Sequence, residues 1–168
     1  QHSHYIVCGL GRFGLHITDL LCKAGETVVV ITNDSCSPEM CTRVEAVGAR
    51  IVSGDFCTAP IREKADPASA AAIVLTTSQD VVNLQVALQV RGEFPNLAVV
   101  MRYSEQKLAS RLEKDFGITA VLSPAVLAAG EFVHAALRTP IENPQVGPQS
   151  IKLPRWHIRG EFLVIPVI

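Results

Sequence analysis

Residues 5–21, YIVCGLGRFGLHITDLL, decide the fold. An apolar run leads into three glycines, Gly9, Gly11 and Gly14, at the spacing G-x-G-x-x-G, and an apolar pattern of helical period follows. Gly9 permits a tight turn out of a strand. Gly11 lets the backbone approach a diphosphate with no Cβ between them, and Gly14 lets the helix lie close to the strand. The start of the helix offers unpaired N–H groups and a positive dipole end to an anion. Arg12 stands inside the loop, where a guanidinium pairs with phosphate oxygens. The bland alternatives are a glycine turn kept for packing and a solvated arginine.

A phosphate loop of this kind is usually joined by a carboxylate at the end of the next strand, which holds the adenosine ribose. That strand reads VVVITND, and Thr32 occupies the place. Asp34 follows two residues later and serves either the ribose or the start of the next helix, since NDSCSPE is also a good helix opening. No arginine or lysine follows at once to take a 2′-phosphate, so NADP is not favoured.

Further along, apolar runs alternate with helical patterns. Strands are expected near 4–9, 27–32, 50–55, 71–77, 97–102 and 119–123. Helices are expected from the glycine loop to about Ala24-Gly25, near 38–47 (closed by Gly48) and weakly near 59–65. A further helix near 81–94 places Val81, Leu84 and Leu88 on one face. Over 104–117, Ser104 reads as the N-cap and Gly117 as the stop, with Leu108, Leu112 and Phe116 on one side. Ser123-Pro124 opens the last helix, serine as cap and proline in the first turn. Six short apolar strands separated by helices imply an α/β architecture. The expectation is a Rossmann-like, doubly wound parallel six-stranded sheet of order 3-2-1-4-5-6, with a short C-terminal β extension. The divisions are a nucleotide-binding domain over 1–138, a Pro-rich linker over 139–154 and a β-rich tail over 155–168. The tail reads as a hairpin or the start of a further domain.

The composition narrows the function. Of 168 residues, 48% are apolar and 18% charged, which fits a globular domain with a sizeable core. A net charge of −1 gives no footprint for nucleic acid. No apolar run reaches the roughly 18 residues that span a bilayer, so a soluble piece is expected, either alone or as the cytosolic part of a membrane protein. The five cysteines include no C-x-x-C and point to a reducing compartment rather than a disulfide framework. Cys36 and Cys41 flank Met40, and a soft-metal site there is weighed against two small residues on a helix. His2 and His4 read as a flexible end, His16 as a packing or surface residue, and His134 as a polar contact rather than a pH sensor.

Several segments in order resemble the RCK, or KTN, domains that regulate potassium channels and transporters. They are YIVCGLGRFG, ETVVVITND, ARIVSGDFCTAPIREKAD, AAIVLTTSQDVVNLQVALQVRGEFPNLAVVMR and GITAVLSP. The resemblance covers about residues 4–138. It implies regulatory binding of NAD(H) or an adenine nucleotide (ATP, ADP or AMP), and assembly into dimers or rings beneath a membrane pore at the inner face of the cell membrane. By position it implies phosphate contacts from Gly9, Gly11, Arg12 and Gly14. It places Asp55 near the adenine, Thr76 and Thr77 facing the ligand, and Arg102 near the phosphates. Two departures stand out: Thr32 replaces the family's acid, and the tail is β-like where many members continue in helices.

The helix 124–138 reads AVLAAGEFVHAALR after its proline and is apolar nearly all round. One sheet cannot cover such a helix, so a partner is expected: a second subunit, another domain or the chain's own tail. No catalytic set emerges, so a non-enzymatic sensor is the leading reading. The rivals are an NAD(P)-dependent oxidoreductase fragment lacking its substrate domain, and a degenerate dimerisation module.

Overall fold

The computed structural model describes residues 4–33 and 37–137, the side chains of His134 and Leu137 excepted. Asp34, Cys36, the linker and the β-like tail lie outside the described residues. The described residues form six strands: β1 (His4–Cys8), β2 (Thr27–Thr32), β3 (Arg50–Ser53), β4 (Ala70–Leu75), β5 (Ala98–Arg102) and β6 (Ala120–Leu122). The helices are α1 (Arg12–Lys23), α2 (Pro38–Ala46), α3 (Ala59–Glu63), α4 (Asp80–Glu93), α5 (Gln106–Phe116) and α6 (Pro124–Leu137). All pairings are parallel and the order is β3-β2-β1-β4-β5-β6, the doubly wound arrangement expected from the pattern.

Strand side chains alternate between two apolar layers, as a period of two requires. On one face Ile6, Cys8, Ile31, Ile73, Leu75, Val99 and Met101 meet Val86 and Val90 of α4 and Leu112 of α5. On the other, Val7, Val28 and Val30 meet Leu15 of α1 and Val44 of α2. Each such side chain taken fully from water contributes about 1.5–3 kcal/mol. Burial also pushes the Cys8 thiol far above its ordinary range, which makes it a core residue and not a nucleophile. Cys8, Cys22 and Cys57 are free thiols.

Several local expectations change. His4 is not a loose end. It begins the central strand β1, and its Nε2 donates to Ala65 O at 2.6 Å. Ser104 does not cap α5: Glu105 holds the cap position, while Ser104 donates from N and Oγ to the Asp80 carboxylate at 2.9 and 3.3 Å. Gly117 does end α5, in the left-handed conformation (φ +64°). Ser123 donates its hydroxyl to Ser104 O at 3.2 Å, tying the chain before α6 to the loop after β5. On α4 the inward face is Asn83, Val86, Ala87 and Val90, whereas Val81 is 79% exposed. Phe116 is exposed as well.

The chain divides into two compact units, 1–124 and 125–168. The division falls at the start of α6. Along α6, Val126, Leu127, Phe132 and Val133 are exposed. No described helix is long and apolar enough to cross a membrane.

Candidate functional site

β1 and β4 are neighbours at the centre of the sheet, and the chain leaves them toward opposite edges. At such a switch point the loops diverge and leave a crevice beyond the carboxyl ends of the strands. A cavity of about 710 Å³ opens there. The glycine loop supplies Gly9, Gly11, Arg12 and Phe13, and the end of β2 supplies Thr32 and Asn33. Ser37 and Met40 come from the start of α2, Phe56 from the loop after β3, Thr76 and Thr77 from the end of β4, and Arg102 from β5. The volume suits a nucleotide-sized ligand.

The three glycines do different work. Gly9 has φ +101°, and its N–H donates to Ile31 O at 2.9 Å, so the turn is locked to β2. Gly14 is a packing glycine: a Cβ there would lie 2.0 Å from Gly9 O. Gly11 is the N-cap of α1 in extended conformation, and a Cβ on it would meet nothing within 4 Å. The space beside Gly11 belongs to the cavity. No side chain caps α1, and its first turn carries no acid. The opening N–H groups of the helix therefore face the cavity without an intrahelical carbonyl to bind.

Thr76 holds this loop in shape. Its hydroxyl lies 2.9 Å from Cys8 O and 2.8 Å from Gly9 O, and its N–H donates to Cys8 O at 3.0 Å. Thr77 donates to Asn83 Oδ1 at 2.7 Å. Asn83 Nδ2 in turn donates to Thr77 O at 2.9 Å and Arg102 O at 3.0 Å. Asn83 is fully buried and binds the ends of β4 and β5 into one floor. The sequence reading missed this role. The signal was an asparagine on the inward face of a helix, where a buried amide needs partners.

Among the described residues, two cations face the cavity and no aspartate or glutamate lines it. Arg12 is exposed and, among the described residues, has no ion-pair partner. The Arg102 guanidinium lies over the Phe13 ring, 5.7 Å from its centroid, and its buried Nε has no hydrogen-bond partner among the described residues. A guanidinium that lines the same cavity as the opening amides of α1 fits an anion.

The remaining expected residues divide. Thr32 is buried at the end of β2 and makes one long contact, 3.5 Å, to Asn33 O. Asp55 does not line the cavity: its carboxylate accepts from Cys57 N at 2.9 Å and shapes the turn, while the next residue, Phe56, forms the wall. The helix-opening role once open to Asp34 is filled by Ser37, whose hydroxyl accepts from Met40 N at 3.3 Å.

A second buried residue was not anticipated. Arg62, 2% exposed, donates to Phe56 O at 3.0 Å, Cys57 O at 2.8 Å and Gln89 Oε1 at 3.1 Å. It also donates to Glu93 at 3.0 and 3.2 Å. It fastens the loop carrying Phe56 to α4.

Fold and cavity together define the class of doubly wound α/β domains with a dinucleotide-type phosphate loop. Within that class, residues 5–124 match the TrkA-N domain model, and the chain belongs to the TrkA-N family. The glutathione-regulated potassium-efflux system protein KefC of Enterobacter sp. (strain 638) is 29% identical over 102 residues, 61% of this chain and 16% of that protein. The chain thus spans about a sixth of the length of that relative. Among solved structures, the Shewanella denitrificans Kef CTD in its AMP-bound form has a TM-score of 0.68 at 21% identity, over 81% of this chain and 80% of that one. The GsuK channel bound to NAD has a TM-score of 0.62 at 19% identity, over 79% of this chain and 23% of that one. At such identities the likeness is one of fold.

Proposed function

We propose that the chain is a nucleotide-sensing, non-enzymatic regulatory domain of a potassium or other cation transporter or channel, acting at the cytoplasmic face of the membrane. The observation that carries this reading is the cavity at the bare start of α1, faced by Arg12 and Arg102 and with no carboxylate among its described lining residues. That is an anion site with the dimensions of a nucleotide. Among the described residues its lining offers no histidine, lysine, cysteine or carboxylate to move a proton, which favours binding over chemistry. Family membership and the potassium-efflux relative support the transport context. The phosphates would lie on the amides of Gly11 to Gly14 with Arg12 and Arg102, and the adenosine between Thr32 and Phe56. Thr76 and Thr77 would shape the site, and Asp34 stands as a second ribose candidate. A ligand held across β1, β2 and β4 shifts the domain only toward the arrangement it binds more tightly, and that bias passes to the pore.

The test is thermal denaturation with NAD, NADH, NADP, AMP, ADP and ATP. A true ligand at one hundred times its Kd adds about 2.7 kcal/mol, worth several degrees. A shift without turnover is expected. Hydride transfer to any substrate would favour the oxidoreductase reading, and silence with every nucleotide would leave a scaffold.

The exposed apolar residues of α6 support a self-associating domain, a dimer or ring built through 124–138. Phe132 is 77% exposed, so Phe132→Glu spares the fold. Sedimentation should show the chain as a dimer or larger and the variant as a monomer. A wild-type monomer at high concentration would remove this part of the reading.

A further inference from the structure

We infer that the groove between α1 and α2 is a second anion site, suited to phosphate or a small phosphate monoester and separate from the nucleotide cavity. The two helices pack side by side on the face of the sheet that carries Val7, Val28 and Val30. A cavity of about 220 Å³ opens between them, lined by Arg12, Leu15, His16, Asp19 and Arg43. Arg12, His16 and Asp19 stand at i, i+4 and i+7 on α1, so they share one side of that helix. Arg43 reaches the same groove from α2, and the buried Leu15 gives it an apolar wall.

The charges in the groove are unbalanced. Arg12 and Arg43 are both exposed and, among the described residues, neither makes an ion pair. Asp19 is the one acid of the described lining, and Lys23 already engages its carboxylate at 2.7 Å. Helix stability does not account for Arg12, because a cation at the first position of α1 meets the positive end of the dipole. Arg43 lies in the last turn of α2, where a cation suits the dipole, but that role calls for a charge and not for a groove. Two guanidinium groups facing one concavity repel each other. An oxyanion between them replaces that repulsion with charge-assisted hydrogen bonds, and the His16 ring supplies a further partner. A tetrahedral phosphate has oxygens for all three groups, and the volume leaves room for a small organic substituent.

Arg12 also lines the nucleotide cavity. An anion in the groove and the phosphates of a nucleotide therefore draw on one guanidinium, and each weakens the other's binding by the same factor. This antagonism, unlike the groove site itself, rests on the nucleotide reading above.

Proton NMR on the full chain tests the site with inorganic phosphate and glycerol 3-phosphate, at constant pH and with chloride holding the ionic strength fixed. The His16 ring signals, identified by their loss in His16→Gln, are expected to shift and saturate. Arg43→Gln should raise the phosphate Kd about fivefold or more, and Arg43→Lys should recover part of the affinity. Tighter binding of glycerol 3-phosphate than of phosphate would support the site as one for monoesters, and the reverse as one for the free ion. Signals that do not saturate with either, or a Kd that Arg43→Gln leaves unchanged, would overturn it. Calorimetry with AMP and NAD+ tests the antagonism. Saturating phosphate should raise the nucleotide Kd in the wild type and much less in Arg43→Gln, whose nucleotide affinity without phosphate is unchanged. No phosphate effect, or one that persists in full in Arg43→Gln, would overturn the sharing of Arg12 and leave the groove site standing. Failure of both nucleotides to bind would count against the nucleotide reading and not against the groove.

Discussion

Gly11→Asp should abolish nucleotide binding while leaving the unliganded domain as stable as before, or slightly more stable. The backbone at Gly11 is extended (φ −87°, ψ −176°), so any residue can adopt it. Its Cβ would meet nothing within 4 Å, so no packing is disturbed. Aspartate is also a far better N-cap than most residues and complements the helix dipole, together worth about 0.5–1 kcal/mol. The same carboxylate would occupy the phosphate position and repel it. Gly14→Ala is the contrasting variant. Its Cβ would fall 2.0 Å from Gly9 O and 2.8 Å from Thr76 Oγ1, so the loop must move and the unliganded domain loses stability. Thermal denaturation of both variants, with and without the best nucleotide, separates the two effects. A Gly11→Asp protein that still responds to nucleotide would mean the diphosphate does not lie on the start of α1.

Arg62→Met should be the most damaging single change away from the glycine loop. Methionine fills most of the volume but leaves Phe56 O, Cys57 O and Gln89 Oε1 without their donor. Each buried acceptor left unsatisfied costs about 1–3 kcal/mol, and partial rehydration of the loop offsets some of it. Glu93 is 42% exposed and recovers water on its own. A net loss of about 3 kcal/mol is expected, a fall in Tm of roughly 6–12 °C for a domain of this size. Arg62→Lys should recover only a fraction, because one ammonium cannot replace the forked guanidinium. A loss below about 1 kcal/mol would reduce Arg62 to an ordinary surface ion pair. The loop it fastens carries Phe56, so the variant should also weaken the response to nucleotide.

The sequence carried the strand order and most element positions because parallel strands buried on both faces read as plain apolar runs, and β2 was placed to the residue. The glycine loop was legible for the same reason: strand, turn and helix are consecutive in the chain. What escaped were interactions between residues far apart. Ser104 looks like a cap locally, yet Asp80 lies within reach across the sheet edge and takes both its donors. The Val81 stripe looked like a packing face, but α4 buries Asn83 instead, because that amide makes three hydrogen bonds, two with Thr77 in the loop after β4 and one with Arg102 O at the end of β5. Asp55 was placed at the adenine by resemblance alone; the turn directs Phe56 inward and Asp55 back to its own backbone. Arg62 appears in the sequence as one charge in a polar segment, and only the approach of α3 to α4 shows that it is buried.

The crossover between β1 and β4 also governs how the domain comes into being. β1 pairs with a strand made only after β2, α2, β3 and α3 have been synthesised, and closing so long a loop is slow. Until β4 arrives, Thr76 cannot hold the carbonyls of Cys8 and Gly9, so the glycine turn has no fixed shape. Under the proposed function the anion site is therefore completed late on the folding route, and a half-built chain would not respond to nucleotide.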